Sequence, residues 1–229
     1  MFAYIPARSG SKRILNKNIK LFNGRPIILY VIENLKKLHF IKSIYVSTDS
    51  KKIKKICEKA GAICGDLRKK SLADDKSGFM DLVKKDLPRY IKLENNDNDV
   101  LFVLATAALV NKKNFNLAYK QYKKFNSEIL MSCREFDQTP YWALKINKSG
   151  NLRPIFPKKC FVNSQYLESL YYDSGLFYFF NFNKVKKYND LKNAKKIKPF
   201  YVNDDSGIDI NTLEDWKKLE DIFLKKKNV

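Results

Sequence analysis

The strongest constraint on the fold is an alternation between short apolar runs and stretches whose apolar positions recur at helical spacing. Residues 2–6 form an apolar run. Ile27 to Leu38 follows with a helical pattern, and Pro26 stands at its first turn. Residues 44–49 form a second run that ends in a polar tip. Lys51 to Ala60 reads as a helix stopped by Gly61, residues 99–104 as a third strand, Asn114 to Phe125 as a helix, and Glu128 to Cys133 as a strand. Strands that alternate with helices in this way predict an α/β fold, with a mostly parallel sheet covered by helices on both faces. Ligands bind beyond the carboxyl ends of the strands in such sheets. The polar tips at Ala7–Lys20, Ser47–Asp49 and Ala105–Ala108 are therefore the expected site.

The remaining segments fit one domain over residues 1–229 with an inserted excursion at 134–172. That stretch carries Gln138-Thr139-Pro140, a turn at Lys148-Ser149-Gly150-Asn151, and two further prolines. A very aromatic strand is expected at Leu176–Phe182. A final helix is expected at Leu213–Leu224, capped by Thr212 with Glu214 and Asp215 in its first turn. No run is long and apolar enough to predict a membrane span. The opening residues lack the charged and apolar regions of an export signal, so a cytoplasmic protein is expected.

The formal charge of +21, from 45 Lys+Arg against 24 Asp+Glu, leaves two readings. One is a nucleic-acid partner. The other, which the residues favour, is a solvated lysine surface: the cations are spread along the chain and no aromatic-basic motif accompanies them. The four cysteines, Cys57, Cys64, Cys133 and Cys160, have no zinc spacing, and His39 is the only histidine. Buried free thiols are expected.

The chemistry concentrates in the first loop, Ala7-Arg8-Ser9-Gly10-Ser11-Lys12-Arg13. Small residues there let backbone N–H groups approach an anion, and Arg8, Lys12 and Arg13 add positive charge. It matches neither the Walker A nor the dinucleotide-binding pattern.

This loop, continued by Ile14, Lys17-Asn18-Ile19-Lys20 and Gly24-Arg25-Pro26, resembles the opening signature of the cytidylyltransferases that activate sialic-acid-type sugars. Four later segments resemble family motifs in register: Val46-Ser47-Thr48-Asp49; Asp66-Leu67-Arg68 with Leu72-Ala73-Asp74-Asp75; Ser164-Gln165 with Tyr172-Asp173-Ser174-Gly175; and Asp209-Ile210-Asn211-Thr212 with Glu214-Asp215-Trp216. Arg13-Ile14 and the Tyr-Asp-Ser-Gly segment resemble the pseudaminate branch. The resemblance implies a Rossmann-like nucleotide-diphospho-sugar transferase fold, and transfer of CMP from CTP to the anomeric hydroxyl of an acidic nine-carbon sugar, with Mg²⁺ as cofactor. It implies catalytic roles for Arg8, Lys17 and Asp209. Arg8, Ser11, Lys12, Asn18, Arg68 and Thr106 would bind the nucleotide, Gln165 and Asp173 the sugar, and Asp209 with Asn211 the metal. It also makes the excursion the dimerisation arm of a homodimer.

Several residues depart from the family pattern. Asn211 replaces an aspartate and so removes a charge from the metal site. Ala105 and Ala108 stand where prolines are usual, as does Lys69 after Arg68. Phe79 replaces a small hydroxyl residue, Asn163 an arginine and Tyr172 a histidine. These departures keep a catalytically weakened nucleotide-binding relative open as an alternative.

Overall fold

The computed structural model describes residues 1–95, 97–202 and 207–227. In chain order the elements are β1 (Phe2–Pro6), β2 (Leu21–Phe22), β3 (Arg25–Pro26), α1 (Ile27–Lys36), β4 (Ile44–Ser47), α2 (Lys51–Lys59), α3 (Phe79–Lys85), α4 (Pro88–Leu93) and β5 (Asp99–Val103). They continue with α5 (Lys112–Phe125), β6 (Ile129–Glu135), β7 (Leu144–Ile146), β8 (Leu152–Pro154), β9 (Tyr171–Asn181), α6 (Phe182–Val185), β10 (Ile197–Tyr201) and α7 (Leu213–Lys227).

The main sheet has the order β10-β6-β9-β5-β1-β4. β1 pairs in parallel with β4 and β5, and β10 with β6. β9 runs antiparallel between β5 and β6. This is the mostly parallel Rossmann-like sheet that the alternation predicts, with one reversed strand. The reversal positions the site: the start of β9, at Tyr171–Gly175, lies at the edge where the parallel strands end.

Period-two alternation sends successive strand residues to opposite faces. Ala3 and Ile5 join Val46, Leu101, Val103, Phe177 and Phe179 in a core packed against α1, α2 and α5. Phe2 and Tyr4 join Val100, Phe102, Tyr178 and Phe180 in a second core under α3 and α4. The run Phe177–Phe180 is thus core, buried on both faces. A smaller cluster packs Trp216 and Leu219 of α7 on Ile14, Phe22 and Ile27, and so fastens the last helix to the first loop.

The element ends follow ordinary capping. The Ser50 hydroxyl accepts from Ile53 N–H at 3.3 Å, and Gly61 takes a φ of +80° after α2. At the start of α7, Thr212 accepts from Asp215 N–H while Asp215 accepts from Thr212 N–H, a reciprocal box. The excursion holds the β7–β8 hairpin around the expected turn. All four cysteines are free and buried. Among the described residues no helix is long and apolar enough to cross a membrane.

Candidate active site

A cleft of about 220 Å³ opens at the carboxyl edge of the sheet, between the loop after β1, the tip of β5 and the segment that leads into α3. Its wall holds Arg8, Ser11, Lys12, Lys17, Asn18, Arg68 and Thr106 together. All six expected nucleotide-binding residues are among them, together with Lys17, the lysine expected to be catalytic.

The local fold explains how each arrives. The Asn18 Nδ2 donates to the Arg8 carbonyl at 2.8 Å, folding the loop back on itself. Lys17 sits in a single helical turn behind a left-handed Asn16, and its Nζ donates to the Ile210 carbonyl at 2.8 Å. Burial pushes the Lys17 ammonium below the usual lysine range, and Asp209 opposes that shift by favouring the charged form. Thr106 is buried at the tip of β5.

Arg68 is only 4% exposed. Its backbone N–H donates to the Thr48 carbonyl at 2.8 Å, which draws it inward beside β4. Its Nε and Nη1 have no hydrogen-bond partner among the described residues. A buried guanidinium with idle donors is costly unless an anion meets it. Its neighbours Lys69 and Lys70 are exposed, so Arg68 does not belong with them as surface charge.

Asp209, Asn211 and Asp173 form a second group beside the cleft. The Asn211 Nδ2 donates to Asp209 Oδ2 at 2.7 Å. Asp173 accepts from Gly175 N–H at 2.8 Å and from the Tyr178 hydroxyl. Gly175 has a φ of +62°, a left-handed conformation that favours glycine, and Asp209 Oδ2 lies 3.5 Å from where a Cβ would stand, so this turn sets Asp173 and Asp209 at one strand end. Among the described residues no three His, Cys, Asp or Glu side chains converge as a metal cage. One carboxylate with an amide suits an ion held largely by substrate phosphates and water, the usual manner of Mg²⁺. Gln165 lies apart, exposed in a helical turn of the excursion, and does not line the cleft.

Sequence reasoning missed Asp75. Its carboxylate bridges Arg8 at 2.7 Å and Lys12 at 2.5 Å. Leu72, Asp74, Ser77, Leu82 and Leu104, which line the cleft itself, were not singled out as site residues. The acid pair Asp74-Asp75, placed after Arg68 in register with a motif, was the available signal.

Comparison with known proteins decides the family. The model of the cytidylyltransferase family matches residues 2–197. The chain belongs to the cytidylyltransferase family. The pseudaminic acid cytidylyltransferase of Campylobacter jejuni (strain 81-176) is 34% identical over 176 residues, 76% of this chain and 75% of that one. The CMP-N,N'-diacetyllegionaminic acid synthase of Legionella pneumophila is 28% identical over 227 residues, 97% of this chain and 96% of that enzyme. Among solved structures, a CMP:2-keto-3-deoxy-manno-octonic acid synthetase complexed with CTP superposes with a TM-score of 0.72 at 14% identity, covering 98% of each chain. As a cytidylyltransferase, the chain has its basic loop and buried arginine at the sheet edge where α/β folds bind their ligands.

Proposed function

We propose that this cytidylyltransferase transfers CMP from CTP to the anomeric hydroxyl of a nonulosonic acid of the pseudaminic type, releasing pyrophosphate. The observation that carries the reading is Arg68, a buried guanidinium with idle donors that shares one cleft with Arg8, Lys12 and Lys17. Four cations around so small a space suit a triphosphate.

In this reading the sugar hydroxyl forms a bond to the α-phosphorus as the bond to the β-phosphate oxygen breaks. Such displacements depend on positioning and charge neutralisation. Arg8, Ser11 and Lys12 cradle the leaving phosphates, and Arg68 and Asn18 hold the nucleotide. Thr106 lies where the cytidine is read. Lys17, tethered to the Ile210 carbonyl, keeps its charge beside the α-phosphate. Asp209 and the Asn211 amide oxygen would hold Mg²⁺, which would supply charge neutralisation for the phosphates. Asp173, fixed by Gly175 and Tyr178, faces the acceptor side, and Gln165, apart from this cleft on the excursion, would reach the sugar of a second copy of the chain.

The excursion exposes Trp142, Leu144, Ile146, Leu152 and Phe161. A second copy of the chain covering them makes the protein a homodimer. The reading places the enzyme in the cytoplasm with its CTP.

Pyrophosphate release from CTP and Mg²⁺, with pseudaminic, legionaminic and N-acetylneuraminic acids in parallel, tests the proposal. Turnover with pseudaminic acid supports it, and turnover with another acid alone moves the substrate branch. Silence with all three while CTP binds favours the weakened relative, a reading that rests on the Asn211 amide engaging Asp209. Gain of turnover in Asn211→Asp would then identify the missing charge as the cause.

A further inference from the structure

Asp49 lies between β4 and α2, where a carboxylate can cap the helix or touch a ligand. It does neither, since Ser50 caps α2 and Asp49 is not in the cleft wall. Its carboxylate turns instead to the loop after β1. Oδ1 accepts from Ser9 N–H at 2.8 Å, and Oδ2 accepts from the Ser9 hydroxyl at 2.7 Å. On the other flank, Asn18 holds the Arg8 carbonyl at 2.8 Å. The backbone around Arg8 and Ser9 is therefore gripped from both sides, and the Arg8 side chain is left to face the cleft.

A negative charge beside a polyanion site weakens binding by repulsion. A carboxylate retained there has to return more through order than it loses through charge. Burial alone would raise the Asp49 carboxyl, but the hydroxyl and N–H of Ser9, with attraction from Arg68, outweigh it and hold the group ionised. Both of its oxygens are engaged by the loop, which leaves it little capacity to bind ligand itself.

We propose that Asp49 is a positioning residue for the phosphate-binding loop, fixing Ser9 so that Arg8 and the following N–H groups are ordered before the triphosphate arrives. The proposal rests on the reading above for the nucleotide, but its action falls on the phosphates alone. Preorganisation of this kind appears as affinity.

The test is titration calorimetry of the full chain with CTP and, separately, with inorganic tripolyphosphate. Asp49→Ala weakens both ligands by about tenfold, the loss expected for hydrogen bonds to a charged group. Asp49→Asn, which keeps one acceptor, loses less. Ser9→Ala loses part of the affinity, and the Ser9→Ala/Asp49→Ala pair binds no worse than Asp49→Ala alone. In steady state the KM for CTP rises while kcat at saturation holds, which a general loss of structure would not produce. Additive losses in the double variant, unchanged affinity for tripolyphosphate, or a fall in kcat alone would overturn the proposal. Should Asp49→Ala fail to fold, Asp49→Asn and Ser9→Ala carry the same comparison. Wild-type protein that takes tripolyphosphate but not CTP refutes the nucleotide reading and leaves the loop proposal tested. Wild-type protein that takes neither refutes both.

Discussion

Lys17 shows what a single residue can carry. Its ammonium is half-buried, tied to the Ile210 carbonyl and lowered in pKa by burial. In the proposed function the charged form is the one that serves turnover, so kcat/KM should fall as pH rises through a value below the usual lysine range. The stability of the ligand-free protein should rise over the same interval, because the unfolded chain there binds the proton that the folded chain releases. Lys17→Arg, which stays charged throughout, should remove the alkaline limb from pH–rate profiles. An unmoved limb would assign it to another group. Arg8 and Lys12 were legible in the sequence as charge clustered behind a strand, whereas Lys17 was singled out through the family resemblance. The burial of Arg68 was not legible, since its neighbours are lysines and only the Thr48 contact draws it inward. Asp49 was legible only as a strand-end acid, because its partner Ser9 lies forty residues away.

Among the elements, the stretch before α3 sets the state of the cleft. Asp75 occupies Lys12 and Arg8 with its own carboxylate, and those two bonds hold its pKa below the usual aspartate range. An incoming triphosphate meets cations that already have a partner. Asp75→Asn should therefore tighten CTP binding, by up to about fivefold given the exposure of the pair. Calorimetry at low salt reads this directly, and weaker binding would mean that the carboxylate helps order the cations. The helices that follow, α3 and α4, escaped the sequence reading because lysine pairs and Pro88 interrupt their apolar spacing. β10 escaped it because Pro199 argues against a strand, yet β10 is an edge strand, where proline is tolerated. The direction of β9 was not legible at all, since an apolar run carries no sign of its polarity.

At the scale of the whole molecule, the alternation read from the sequence is the fold, and the order of the matched motifs follows the order of the elements around the cleft. The proposed homodimer rests on the exposed apolar side chains of the excursion. Ile146→Asp with Leu152→Asp should convert a dimer to a monomer in sedimentation velocity, and a wild-type monomer would refute the arm. The attachment of that arm has a consequence for descent. The excursion leaves the sheet at Arg134 and Glu135 and returns at Tyr172 and Tyr171, which are paired as neighbours on β6 and β9. Its two ends are held side by side by the sheet itself, so its length and content can change at small entropic cost. The cleft proposed for the nucleotide lies on other segments. Under the proposed function, lineages can thus alter the part of the sugar site that the excursion supplies by rewriting a cassette, while the segments that line the cleft are inherited intact.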